Sequence, residues 1–339
     1  MPDKHVYADC AASAPMLPQV IAIIAEAYDM GWGNPNSVHK AGRIARQKLE
    51  EARETVAHCI GAKPSEIYFT PSATAACRYA IDRFHIDYCS PYEHKAVREY
   101  VSRCDRNFIT SPYAFMLANN ETGEIYVRQI KELSAEYDIF TDATAAVGQI
   151  PVNVEELGVK ALAAGGHKFG APVGIGFLYA RDEVAVNKDF SFPGTPPAAL
   201  AVALAEALEY RTDCMESSVR TMAHRRTMLI EKLTRIPGAH INCINKLRLP
   251  NIVSVRFDGI NARELLTMLD ASGVFASAGA ACTADADTPS PTLLASGLNE
   301  EQALSTIRLS FCPEHTDDDY DFVAEAVSRC VGQLRKLTK

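Results

Sequence analysis

The chain is short of positive charge: 34 lysines and arginines stand against 42 aspartates and glutamates, a formal net charge of −8. Nucleic-acid binding needs a basic footprint, so no nucleic-acid partner is expected. Long apolar runs are missing as well. The longest uncharged one, residues 198–205, is too short to span a bilayer. The N-terminal MPDKHVYADC has no apolar stretch of the secretory kind, so no membrane association and a cytoplasmic location are expected. No C-x-x-C pair occurs among the cysteines (10, 59, 77, 89, 104, 214, 243, 282, 312 and 330), which leaves no zinc ribbon and no thioredoxin motif. In a cytosolic chain these thiols should be reduced, and most should pack as small buried hydrophobes. One patch is crowded, Cys77, His85, Cys89, His94 and Cys104, but it matches no familiar ligand spacing, and no metal site is expected. Internal repeats and low-complexity segments are absent too.

What is present is an ordinary globular composition, 47% hydrophobic and 22% charged, over 339 residues, enough for two domains and a large core. After an extended arm (1–12), helical periodicity covers 17–31 and 41–60, the second helix stopped by Gly61. A strand at 66–70 leads through Pro71-Ser72-Ala73-Thr74 into a helix at 75–83. Strands at 114–118, 138–141 and 175–180 alternate with helices such as 127–137, which implies a mainly parallel sheet. Helices at 198–210 and 217–236 lead to a second region. Its strands (240–244, 252–257, 274–277, 306–310) are interspersed with helices at 262–271 and 317–337.

In such sheets ligands bind beyond the carboxyl ends of the strands. Four residues fall at or just past predicted strand ends: Thr74, Asn120, Asp142 and Lys168. Lys168 sits in the glycine-rich turn GGHKFG, where something flat can approach the backbone. An amine that attaches to a carbonyl, with a carboxylate that pairs with a pyridinium nitrogen, is the protein's share of pyridoxal phosphate chemistry. Taken singly, each residue has a plainer reading. Lys168 suits a surface turn, and Ser-Ala-Thr suits an ordinary helix cap.

In order along nearly the whole chain, a set of segments resembles the cysteine desulfurases, in the class V aminotransferase branch of the PLP-dependent fold type I enzymes. They are YADCAASAP, GNPNSVHKAGRIARQKLEEARE, EIYFTPSAT, EHKAV, MLANNETGEI, FTDATAAVGQIPVNVEELGV, GGHKFGAPVGIGFLYAR, PGT, LPNIVSVRF, SAGAACTADADTPSPTLLASGL and STIRLSF. The resemblance implies an α/β fold. A large domain (13–208) would carry a mainly parallel sheet, and a small α+β C-terminal domain (209–339) would also take up residues 1–12. It implies pyridoxal 5'-phosphate held by Lys168, with Asp142 on the ring nitrogen and His94 stacked on the ring and active in proton transfer. Ala73, Thr74 and His167 would hold the phosphate, with Thr195 supplied by the other subunit of a homodimer. Asn120 would position cofactor or substrate, Arg308 would clamp the substrate carboxylate with help from Asn34, and Cys282 would carry sulfur as a persulfide. The implied reaction takes L-cysteine to L-alanine. The sulfur would pass to an iron–sulfur scaffold or to a tRNA- or DNA-thiolation protein. Selenocysteine lyase or β-eliminase chemistry, or a partner-binding protein with reduced turnover, are the alternatives. Taken singly, Arg308 also suits a structural ion pair, and Cys282 an inert thiol.

Several positions depart from the family pattern. Ala145 stands where a glutamine usually donates to the cofactor's phenolic oxygen, Ser72 where a glycine opens the phosphate turn, and Phe192 where an arginine precedes the threonine. The intervals from His94 to Asn120 and from Tyr179 to Thr195 are short. The sulfur loop carries Asp285 and Asp287 where relatives are serine-rich, which should disfavour a thiolate at Cys282.

Overall fold

The computed structural model describes residues 4–102, 112–181, 194–279 and 288–337. Two compact units emerge, Pro15–Ala118 with Tyr126–Met215, and Met1–Ala14 with Asn119–Ile125 and Glu216–Lys339. Asn119–Ile125 therefore belongs with the C-terminal unit and not with the larger domain expected over 13–208. Hydrogen bonds hold it there: Ile125 N–H donates to Leu247 O (2.9 Å) and Leu249 N–H to Gly123 O (2.8 Å).

The larger unit is built on a six-stranded sheet. Its spatial order is Ile67–Thr70, Gly176–Ala180, Ala161–Gly165, Ile139–Asp142, Tyr113–Ala114 and Tyr88–Cys89. The last four strands run parallel and the Gly176–Ala180 strand is antiparallel to both its neighbours. Every residue of Ile139–Asp142, Ala161–Gly165 and Gly176–Ala180 is buried, the pattern of strands covered on both faces. The strand expected at 114–118 is only Tyr113–Ala114, although Phe115 and Leu117 go on donating to Phe140 O and Asp142 O. Helix Lys40–Ile60 starts on a His39 cap, buries Ala45, Leu49, Ala52, Val56 and Ile60 at helical spacing, and ends on left-handed Gly61 (φ 67°). Helix Ala198–Asp213 packs against both Lys40–Ile60 and Pro18–Asp29. It is accordingly alanine-rich and buried on several sides, which lets neighbouring backbones come close.

The smaller unit has a three-stranded antiparallel sheet, ordered Thr306–Ser310, Ile252–Phe257, Ala239–Ile241. A parallel pair, Val6–Tyr7 with Val274–Phe275, seats the N-terminal arm in this unit. Val253, Val255, Phe257, Ile307 and Leu309 form its core with Val323, Val327 and Val331 of helix Asp317–Leu337. The strand expected at 240–244 stops at Ile241, because Cys243 adopts a left-handed backbone (φ 53°) that no strand accommodates.

Candidate active site

Three neighbouring segments of the larger unit end in polar groups. Strand Ile139–Asp142 delivers Asp142, which is 6% exposed. Strand Ala161–Gly165 runs into the tight turn Gly166–Lys168, closed by Phe169 and Ala171 N–H groups on Gly166 O (both 3.1 Å). Gln149 Nε2 donates to Lys168 O (3.4 Å), so the lysine backbone is held while its half-buried side chain leaves the turn. The third segment is the start of helix Ala73–Phe84. Gly176 makes room for it: a Cβ there would lie 2.6 Å from Ala164 O and 3.1 Å from Ala73 N. Gly165 does the same for side chains, since its Cβ would meet Ala73 Cβ (3.2 Å), His167 Cδ2 (3.5 Å) and Thr144 Cγ2 (3.6 Å). Ala73, Thr144 and His167 are thereby gathered around one bare backbone position.

The helix begins at Ala73, two residues earlier than the sequence pattern suggests, because Ser72 is its cap. Ser72 Oγ accepts from Ala75 N–H (3.1 Å) and Ser72 O from Ala76 N–H (3.1 Å), which leaves the Ala73 and Thr74 N–H groups as the open donors of the first turn. Ser72 has an extended backbone (φ −171°), so the serine replaces the family's glycine without strain.

Burial decides the electrostatics. Asp142 accepts from Thr144 N–H (2.9 Å), and among the described residues no cation pairs with its carboxylate. A buried, unpaired carboxylate is costly unless a positive group meets it. His167 is pushed down to about 4 by burial and by the neighbouring Lys168 charge, so it is a neutral imidazole at pH 7. Glu93, beside His94, is pushed up to about 8 by burial and by the Asp142 charge, so it is mainly protonated. His94 Nδ1 accepts from Ala96 N–H (3.2 Å) as a helix cap, which places a neutral ring's proton on Nε2.

These groups fit pyridoxal 5'-phosphate. Asp142 lacks the cation that a protonated ring nitrogen provides, the half-exposed Ala73 and Thr74 offer helix N–H groups to a phosphate, and Lys168 offers an amine. Thr144 Oγ1 is buried with no partner among the described residues, as are Thr141 Oγ1 and Gln149 Oε1. Sequence reading missed Thr144, whose only signal is its place between Asp142 and Ala145.

The remaining predicted residues belong to other segments. Thr195 Oγ1 accepts from Asn34 Nδ2 (3.4 Å) and, among the described residues, makes no hydrogen bond to Thr74 or His167. In the smaller unit Arg308, 1% exposed, donates through Nη1 to Asn120 O (2.7 Å) and through Nη2 to Asp9 Oδ1 (2.7 Å), while its Nε has no partner among the described residues. Asp9 Oδ2 in turn accepts from Ser277 Oγ (2.7 Å). Asp9 is a second residue that sequence reading left without a role. Cys282, Asp285, Asp287 and Phe192 lie outside the described residues.

Known proteins carry the same frame. The family profile "Aminotransferase class-V" matches residues 6–98, 109–190 and 187–323. A cysteine desulfurase IscS of Methanosarcina thermophila is 31% identical over 380 aligned positions, covering 99% of this chain and 94% of that protein. A second cysteine desulfurase IscS, from Dictyoglomus turgidum, is 30% identical and covers 99% and 96%. Among solved structures, a NifS-like protein matches with a TM-score of 0.86 at 27% identity over 97% of this chain and 100% of that one. SspA in complex with cysteine matches with a TM-score of 0.74 at 25% identity over 91% and 99%. With 339 residues against alignments of about 380 positions, this chain is a shortened member. It belongs to the class-V aminotransferase family and, within it, to the cysteine desulfurases.

Proposed function

We propose that this chain, with pyridoxal 5'-phosphate bound through Lys168, converts L-cysteine to L-alanine and passes the sulfur to Cys282. The supporting observation is that Lys168 and the buried Asp142 follow or end two adjacent strands, while the helix start with the Ala73 and Thr74 N–H groups packs against Gly165 of one of them. When bound, the cofactor supplies a carbonyl for attachment of an amine and a ring that accepts electron density from the amino acid's α-carbon. Asp142 keeps the proton on the ring nitrogen, where its own burial demands a positive partner. The Ala73 and Thr74 N–H groups and neutral His167 hold the phosphate. Thr144 Oγ1, buried and without partner among the described residues, supplies a hydroxyl one residue away from the missing glutamine at Ala145.

Lys168 moves the α-proton on its Nζ, and His94 moves a proton on Nε2, its Nδ1 being engaged in the cap. Arg308 binds the substrate carboxylate through donors that Asp9 and Asn120 leave open, and Asn120 acts on it through its backbone carbonyl. In sulfur transfer the Cys282 thiolate attacks the substrate sulfur. The S–S bond forms as the carbon–sulfur bond breaks, and the electron pair returns to carbon, where a proton completes the methyl group of alanine. A docked iron–sulfur scaffold or a thiolation protein then takes the sulfur from Cys282.

The test is the Cys282→Ala protein supplied with L-cysteine. Its cofactor spectrum should match the parent's, and alanine formation and labelled sulfur on protein should both be lost. If alanine and protein-bound sulfur still form at the parent rate, the proposal fails. Lys168→Ala, run alongside, should lose the cofactor adduct that borohydride fixes on the Lys168 peptide.

A further inference from the structure

The smaller unit contains a cluster of sulfur and nitrogen atoms that the desulfurase reading leaves unused. Cys10 Sγ, Cys312 Sγ and a ring nitrogen of His315 all lie within 4.8 Å of one another. Cys312 Sγ is 3.2 Å from His315 Nδ1. Both cysteines are buried, 3% and 5% exposed, and the histidine is half-buried. We propose that these three side chains bind a thiophilic d10 cation of the zinc class, and that the bound ion clasps the N-terminal arm to the turn after strand Thr306–Ser310.

The geometry is the first argument. Zinc–sulfur and zinc–nitrogen bonds of about 2.3 and 2.1 Å in a tetrahedron place the ligand atoms roughly 3.6–3.8 Å apart. A cluster already inside 4.8 Å needs shifts of about 1 Å, within reach of χ rotations, and no rearrangement of the chain. The backbone has fixed the positions in advance. Cys10 N–H donates to Ser310 O (3.2 Å), Ala11 N–H to Ser310 Oγ (2.9 Å), and His315 N–H to Cys312 O (3.1 Å), closing the Cys-Pro-Glu-His turn. His315 Nδ1 now faces the Cys312 N–H (3.2 Å), and binding would exchange that weak contact for the metal.

The donor set is the second argument. Two thiolates and an imidazole suit zinc or copper(I) and disfavour magnesium or calcium, which take oxygen ligands. Three protein ligands leave a fourth corner for water. The surroundings suit that arrangement. Phe311 stacks on Tyr320 (3.9 Å between centroids) and meets His315 edge-on (5.4 Å), an apolar wall that strengthens charge interactions. The Tyr320 hydroxyl, in this same aromatic group, is buried without a partner among the described residues, an orphan that a metal-bound water would satisfy. A pair of packed thiols hydrogen-bonded to a histidine would explain the proximity but not the orphan.

The experiment uses purified, reduced, cofactor-loaded protein with zinc alone, and with cobalt(II) as a spectroscopic probe. After exhaustive desalting the parent should retain about one zinc per chain, and cobalt should give tetrahedral d–d bands in the red, clear of the cofactor's absorbance. Cys10→Ser, Cys312→Ser and His315→Gln should each weaken retention at least tenfold, with the Lys168-bound chromophore confirming that the fold survives. Cys282→Ala should retain the ion. The proposal is overturned if the parent binds no zinc after reduction, or if a Cys10→Ser/Cys312→Ser double variant binds it as the parent does. Loss of the ion in Cys282→Ala would equally overturn it, by assigning the metal to the sulfur-carrier cysteine.

Discussion

Ala145 is one of the single-residue departures from the family pattern, and the side chain beside it changes what that departure means. A donor lost from the cofactor's phenolic oxygen costs about 1–2 kcal/mol unless another group supplies it. Thr144 stands one residue away with a buried hydroxyl that has no partner among the described residues, while its N–H holds Asp142. Thr144→Val should therefore shift the pH at which the bound chromophore switches by roughly one unit, equivalent to about 1.4 kcal/mol. Ala145→Gln, with Thr144 still in place, should shift it by less. Spectral titration of both variants checks the ordering, and an unmoved midpoint in Thr144→Val would assign the donor elsewhere. Sequence reading could find Asp142 and Lys168 because their residue types announce the chemistry at strand ends. Thr144 was not legible in this way, since a threonine after an aspartate is unremarkable until burial leaves its hydroxyl without a partner. Arg308 stood between the two: its type suggested a carboxylate partner, but only the fold pairs it with Asp9.

At the scale of elements, the strand–turn–helix at 67–84 was legible from its apolar run and its Ser72 cap, and only the helix start needed correction, to Ala73. The segment entering helix Lys95–Val101 was not. Nothing in the sequence Glu-His-Lys-Ala-Val distinguishes a solvated glutamate from a buried one, yet Glu93 is fully buried. Its Oε1 accepts from Ser90 Oγ (2.9 Å) and from Met116 N–H, and its Oε2 has no partner among the described residues. Burial and the Asp142 charge push Glu93 from 4.5 to about 8, so the fold favours the protonated form. Its contribution to stability is then fully present below pH 4.5 and is lost as pH rises toward 8, because the unfolded chain releases that proton first. Glu93→Gln keeps the Oε1 acceptor and removes the titration. Denaturant midpoints measured from pH 5 to pH 8.5 should show the variant gaining steadily on the parent. Parallel profiles would mean that the carboxyl is solvated in solution.

The molecule as a whole separates into two units. The sequence could not assign Asn119–Ile125, whose placement depends on hydrogen bonds to Leu247 and Leu249 that no local pattern encodes. The Cys10–Cys312–His315 group was hidden for the same reason, its members coming from opposite ends of the chain. Thr195 raises the question of scale most directly. Within one chain it contacts Asn34, alongside Trp32 and Pro35, and among the described residues makes no hydrogen bond to Thr74 or His167. That is the arrangement required if each Thr195 serves the neighbouring subunit's site in a homodimer. Lys168→Ala and Thr195→Ala chains, each impaired alone, should then complement when co-expressed, because one site of each heterodimer has both residues intact and the other lacks both. With random pairing about half the dimers are mixed and one of their two sites is whole, so the preparation should reach about a quarter of parent activity. Cysteine-dependent alanine formation on the separated heterodimer measures it directly. A heterodimer no more active than the mean of its parents would place Thr195 in the site of its own chain.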